Sequence, residues 1–331
     1  MGGVGPAPRV VLEVEMSWLL LAALAFSPAG VVTLPGDPGW VAYVVATPEG
    51  LVISTADVVQ SPPGQAPRLL LVTREGKLVR TQDLRALGCA HPTNPVWTGQ
   101  ELLVGDLKKG TLLVLDGTLE KKREVLLKGA HPHPYYPRFL AFARQTQKLV
   151  VTGCYPLRGY LDTGCLQIHE YVGSALDHVA SSLESPPSLQ EWGYEPVSEQ
   201  YLAGVVPGDE VWAVEEAAGK GFRRVQGDRW QPLDFAAFAF KPTPYPKNVR
   251  DLASALGDAF LATGIFPLPQ GGVAVAYASR TAQKSRVIVF SPHGKALVQR
   301  ELPGRVAGES EGQLITARHT STWQLTFWRV E

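Results

Sequence analysis

The sequence predicts an all-β protein made of about six repeated strand modules that close on themselves. Three observations lead there. Glycine and proline are abundant, 33 and 27 among 331 residues, while 45% of the chain is hydrophobic and 19% charged. Short apolar runs recur around Gly-containing turns. A spare β-run near the front, Gly30 to Leu34, matches a final module that lacks one strand.

The composition sets limits first. Disorder needs low hydrophobicity and high net charge, and this chain has neither. A long coiled coil would carry more charge and less Gly and Pro. Lys and Arg total 31, as do Asp and Glu. That balance argues against a general polyanion-binding surface, so no nucleic-acid partner is expected.

The N-terminus reads as a leader over residues 1–29. Trp18 to Phe26 is a nine-residue apolar stretch, the length of a signal-peptide h-region and too short to span a bilayer. Ala23 and Ala25 fit an A-x-A cut, and Ser27, Pro28 and Ala29 offer another. Arg9 is the sole base ahead of it, while Glu13 and Glu15 stand nearer. Met16 is an alternative start, and a short buried strand or helix is the structural alternative to a leader. The expectation is an exported chain, periplasmic or extracellular, with no membrane span in its mature part and a monomeric state.

Residues 30–331 form one repeated body. Leu69 to Thr73 run into Arg74-Glu75-Gly76-Lys77 and then Leu78 to Arg80. The pattern returns as Leu112 to Leu115, Asp116-Gly117, then Leu119 to Val125. It returns again as Val287 to Phe290, Ser291 to Lys295, then Ala296 to Leu302. These are β-hairpin signals. Ala90-His91-Pro92 recurs as Ala130-His131-Pro132, forty residues later. Weaker copies lie at Gln167 to Tyr171 and Gly221 to Val225. Roughly fifty residues per module is close to the spacing of four-stranded propeller blades. The last module ends with Leu314 to Arg318 and Trp323 to Val330. An N-terminal strand beside it would close the ring and cover two edges. Two stacked β-sandwiches are the alternative.

Two stretches interrupt the pattern. Ser181 to Tyr194 reads as a loop around Ser185-Pro186-Pro187. Pro242, Pro244 and Pro246 exclude a central strand. After them, apolar positions 249, 252, 253 and 256 predict one short helix, with Asn248 and Gly257 as caps.

On the hairpins near Gly76, Gly117 and Gly294 and on Glu311-Gly312-Gln313-Leu314, the chain resembles the six-bladed β-propeller superfamily, in the broad group with NHL-repeat and TolB-like proteins. The resemblance implies a fold and no single activity. No tandem Trp-Asp signature and no kelch-type Gly-Gly in every blade accompanies it.

Candidate site residues come from the loops leading into inner strands, which in propellers border the central channel. The densest polar and aromatic cluster is His131, His133, Tyr135, Tyr136 and Arg138, stiffened by Pro132, Pro134 and Pro137. His91 holds the equivalent place one module earlier. These five, His91, His131, His133, Tyr135 and Arg138, are the candidate ligand-binding residues. His131 and His133 would serve as general bases or hold a metal; equivalent packing between blades is the structural alternative. Asp106 and Glu199 are isolated, and Glu215 and Glu216 point to opposite faces of an extended strand. No calcium loop, nucleophile elbow or phosphate-binding loop is present, so no metal or cofactor is assigned. The tryptophans read as packing between blades, with Trp192 and Tyr194 as possible glycan or peptide contacts.

Cys154 and Cys165 flank a Gly-rich loop between β-prone runs, which would set them opposite each other at its base. A bridge there would stabilise by roughly 3 kcal/mol and needs an oxidising compartment; two unrelated thiols are the alternative. Cys89 reads as a buried hydrophobe.

Two functions follow. The first is an exported propeller that binds a protein, peptide or glycan on one face without catalysis. The second is a channel-mouth hydrolase or lyase using His131 or His133, with or without a metal.

Overall fold

In a computed structural model the described residues are 25–57, 64–128, 135–154, 168–182, 201–216, 220–226, 229–235, 260–279 and 283–331. They are almost wholly β. The chain begins with β1 (Phe26–Thr33), then β2 (Tyr43–Thr47), β3 (Gly50–Ser54), β4 (Arg68–Val72) and β5 (Leu78–Asp83). Next come β6 (Pro92–Trp97), β7 (Leu102–Asp106), β8 (Thr111–Leu115) and β9 (Lys121–Leu126). A third group is β10 (Tyr136–Ala143), β11 (Lys148–Cys154), β12 (Ile168–Val172) and β13 (Asp177–Ser182). A fourth is β14 (Tyr201–Val206), β15 (Glu210–Glu215), β16 (Gly221–Gln226) and β17 (Arg229–Pro232). A fifth is β18 (Leu261–Pro267), β19 (Val273–Ala278), β20 (Lys284–Phe290) and β21 (Ala296–Pro303). The chain closes with β22 (Arg305–Ser310), β23 (Gln313–His319) and β24 (Trp323–Val330).

Groups two to five are separate four-stranded antiparallel meanders. The other eight strands form one sheet, in the order β1-β24-β23-β22-β2-β3-β4-β5. Six separate blades were expected; four are found, because β2 and β22 pair in parallel, Val44 with Gly308 and Val45 with Glu309. Gly308 permits this. A Cβ there would lie 2.0 Å from the Val44 carbonyl oxygen, closer than any real contact, so a residue with a side chain would force the strands apart.

The front strand does lie beside the tail. β1 pairs antiparallel with β24, from Phe26 opposite Val330 to Thr33 opposite Gln324. It starts at Phe26, four residues ahead of the expected Gly30.

The sheets stand radially, and their burial pattern gives the reason. β7 is buried at every position, unlike a sheet with one wet face. Its Leu102 and Val104 pack with Val52, Leu69 and Leu71 on one side. Its Leu103 packs with Leu140, Leu149 and Val151 on the other. The same alternation carries Ala141 and Val150 against Ala203 and Val211. It carries Ala274 and Val287 against Val306 and Leu314. The largest cluster includes Trp212, Phe290, Ile315, Leu325, Leu51 and Ile53, spanning last sheet to first. The innermost strands β2, β6, β10, β14, β18 and β22 touch one another in a closed cycle.

β6 and β10 tolerate proline because each is the end strand of its sheet, with one edge facing the axis. Pro92, Pro95 and Pro137 sit in β6 and β10 without costing a sheet hydrogen bond on that side. The expected helix at 248–256 lies outside the described residues. Among those described, the one helical turn is a 3₁₀ segment at Pro269–Gly271. No helix among them is long and apolar enough to cross a membrane. The expected leader, apart from residues 25–29, also lies outside them.

Candidate functional site

Two features occupy the axis: a buried layer of charge at one end and a cavity at the other. The first stands where β2, β10 and β22 begin and where β3 and β15 end. Arg138 near the start of β10 donates from Nη1 to Asp57 Oδ2 at 2.9 Å and from Nη2 to Glu216 Oε1 at 2.5 Å. Its Nε donates to Glu216 Oε2 at 3.2 Å. The Tyr43 hydroxyl donates to the same Asp57 oxygen at 2.9 Å. Beside them Arg305 donates from Nε to the Ala42 carbonyl at 3.2 Å. Its guanidinium stacks 5.0 Å from the Trp40 ring and 5.9 Å from Tyr43.

All five polar residues are buried, Arg138 at 2% and Asp57 at 1% exposure. Two guanidiniums face two carboxylates, so the layer is charge-balanced, the condition under which buried ions persist. Burial would drive the Arg138 proton off, but Asp57 and Glu216 outweigh it and hold its pKa well above the usual value. Burial, then Asp57, push the Tyr43 phenol well up, so it stays a donor. Burial pulls Arg305 down.

Below this layer lies a cavity of about 780 Å³. Its inner end is bounded by Tyr43 and Phe139, whose rings meet edge to face at 6.0 Å. The walls are innermost strands, with Ala46, Val96, Phe142, Val205 and Phe266 among the lining side chains. The cavity reaches the turns that join first and second strands, where Arg144, Asp209, Glu309 and Glu311 gather with Arg74 of the β4–β5 turn. Arg74 pairs with Glu311 at 2.8 Å. Asp209 accepts the Gln145 and Thr146 N–H groups at 3.2 and 2.5 Å. Glu309 Oε1 accepts the Gly312 N–H at 2.6 Å. Burial raises the Glu309 pKa, with Gly312 and Arg144 pulling it back.

The expected site residues separate in this frame. Arg138 is spent on the ion layer. Tyr135 is buried, its ring 4.0 Å from that of His169, and it does not line the cavity. His91 is half-buried; burial and then Lys108 lower its pKa, and its carbonyl accepts the Leu107 N–H at 3.0 Å. His131 and His133 lie outside the described residues. So do Cys165 and the Cys154 side chain, and with them the expected bridge; Cys89 is a buried free thiol. Asp106 ties its loop, accepting from the N–H groups of Ala90, Lys108 and Lys109 at 2.9 to 3.1 Å. Glu216 meets Arg138, while burial raises the Glu215 pKa.

Sequence reading passed over Asp57, Tyr43, Arg305, Arg144 and Glu309. A charge opening an apolar strand, as in Arg305-Val306-Ala307-Gly308, was the available signal for one of them.

A second imidazole pair lies in the third sheet. His169 Nδ1 is 3.0 Å from His178 Nε2, with Tyr135 and Tyr171 packed around it. Burial, then His178, lower the His169 pKa to about 3.

No family model and no curated protein matches the chain. Solved structures do. A member of the DUF4221 family from Bacteroides vulgatus superposes with TM-score 0.64 at 7% identity, covering 94% of this chain and 99% of that one. A candidate exported protein from Bacteroides fragilis gives 0.56 at 10%, covering 94% and 96%. Virginiamycin B lyase from Staphylococcus aureus gives 0.50 at 10%, covering 92% and 99%. At such identities the likeness shows the fold alone. Together with the radial sheets, it defines the chain as a β-propeller-like protein.

Proposed function

We propose that this is an exported, monomeric binding propeller that takes a peptide-type ligand in its axial cavity without acting on it. The eight-stranded sheet counts in this reading as two blades joined along β2 and β22, making six. The observation that carries the reading is the cavity itself. Its volume is in the range of ligand pockets, and it is apolar within and charged at the rim. The charge layer at its far end makes it a pocket entered from the turn side. A protein or glycan contact on the same face is the broader form of the reading.

Export is supported by the start of β1. A cut after Ala25, at the Ala23-x-Ala25 pattern, leaves Phe26 as the first residue and β1 whole, at the loss of the two backbone hydrogen bonds between Ala25 and Glu331. The candidate exported protein among the fold neighbours points the same way. Val205→Trp places an indole in the cavity and is the direct test. A peptide and glycan library should give ligands that bind the wild type and not this variant. Ligands that bind both equally would remove the cavity from the function.

The second reading is a hydrolase or lyase using His131 or His133. It is motivated by the lyase among the fold neighbours and by the shared loop position of His91 and His131. His91, Tyr135 and Arg138 would then support that end of the ring. An esterase, lactonase and lyase panel on the wild type, His131→Ala and His133→Ala decides it. Turnover lost in either variant supports chemistry; none in the wild type removes it.

A further inference from the structure

The rim of the cavity says more about what enters. Of its five charged side chains, three are engaged with the protein: Arg74 with Glu311, and Asp209 with two backbone N–H groups. Arg144 makes no side-chain hydrogen bond or ion pair among the described residues. Glu309 spends one oxygen on Gly312 and keeps the other. Arg144 follows the end of β10 and Glu309 lies in β22; these strands are three places apart in the cycle of six innermost strands and so on opposite sides of the mouth. A cation thus faces a carboxylate across an apolar opening.

The walls add a second requirement. Among the described residues, β10 and β14 are paired by a ladder on one side alone, to β11 and β15. Their axis-facing edges keep backbone N–H and C=O groups, which want partners when water is displaced. Asn94 shows how such an edge is served: its side-chain amide donates to the Leu140 carbonyl and accepts the Leu140 N–H, both at 2.8 Å. A ligand with amides along its length could do the same where Asn94 does not reach. A pure hydrocarbon could not.

We propose that the cavity takes a short peptide with apolar side chains and free ends, its ammonium held by Glu309 and its carboxylate by Arg144. This rests on the binding reading above and names its ligand class. The side chains fill the space between Phe142 and Phe266, the amides meet the strand edges, and Tyr43 and Phe139 set the depth. The Glu309 carboxyl, raised by burial and by Glu311 and lowered by Gly312 and Arg144, gains an ammonium partner that favours its charged form.

The test is calorimetric titration with trileucine, N-acetyl-trileucine and trileucine amide. Wild type should bind trileucine and lose at least tenfold in affinity on acetylation. Glu309→Gln should lose a similar factor with trileucine and be indifferent to acetylation. Arg144→Gln should behave likewise toward amidation. Both positions lie at the rim, so these variants should melt as the wild type does. Equal affinity for capped and free peptides, with binding still abolished by Val205→Trp, would overturn the end recognition while leaving the cavity as the site. No binding of trileucine to wild type would overturn the ligand class, with the library screen left to judge the cavity.

Discussion

Arg138 reaches across the axis to Asp57, Nη1 to Oδ2 at 2.9 Å, although 81 residues and a whole intervening sheet separate them. The same guanidinium holds Glu216 on the next sheet. One side chain therefore ties three sheets together at one end of the ring. Arg138→Met would leave two buried carboxylates without their cation. The expected loss is about 3–5 kcal/mol in urea unfolding. Adding Asp57→Asn and Glu216→Gln should return part of it; a single-variant loss below 1 kcal/mol would mean the layer is not holding the ring.

The His169–His178 pair makes stability depend on acidity. The folded His169 pKa is depressed to about 3 and that of His178 is lowered too. Between the unfolded value near 6.5 and about 3, the unfolded chain binds more protons than the folded one. Stability is therefore complete above that window and lost as pH falls through it, by on the order of 4 kcal/mol from His169 alone. Urea midpoints taken from pH 7 to pH 4 should fall, and His169→Phe should flatten the fall by about one proton. An unchanged slope would place the titration elsewhere.

Gly308 is a point of close approach in the seam between β2 and β22. A methyl there meets the Val44 carbonyl, which is backbone and cannot swing away. Gly308→Ala should cost about 1–3 kcal/mol by overpacking. Gly173, in a turn with open space around its Cβ position but φ of 72°, provides a control in which only backbone strain operates. Equal thermal shifts in the two variants would contradict close approach as the reason for glycine at 308.

The pairing of β1 with β24 covers an edge of the long sheet. Deleting residues 26–33 should lower Tm by about 5 °C or more and expose β24 to pairing with other chains. Light scattering during the melt should rise earlier than in the full chain. Coincident melts would show that β1 contributes little to closure.

Much of the fold was legible because hairpins are local. The turns at Gly76, Gly117 and Gly294 mark β4–β5, β8–β9 and β20–β21, and the unmatched run at the front announced β1. Innermost strands were harder to see. Pro92 and Pro95 disguise β6, and the Pro-rich stretch obscured where β18 begins; an axis-facing edge makes such residues acceptable where a central strand would not. The two-residue parallel pairing at Val44 and Gly308, which merges two strand groups into one sheet, leaves no sequence period. The charge layer was half visible. Arg138 stood out beside the prolines, yet its partners come from loops after second strands, 81 and 78 residues away. Arg144 sits in the turn after β10 and Glu309 near the end of β22, and only ring closure sets them face to face.

Diffraction from crystals soaked with a tripeptide carrying 4-bromophenylalanine tests the binding cavity most directly. A bromine anomalous peak between Phe142 and Phe266, on the turn side of Tyr43 and Phe139, is the predicted result. A peak beside His91 and the loops that lead into the innermost strands, with the axial cavity empty, would contradict it.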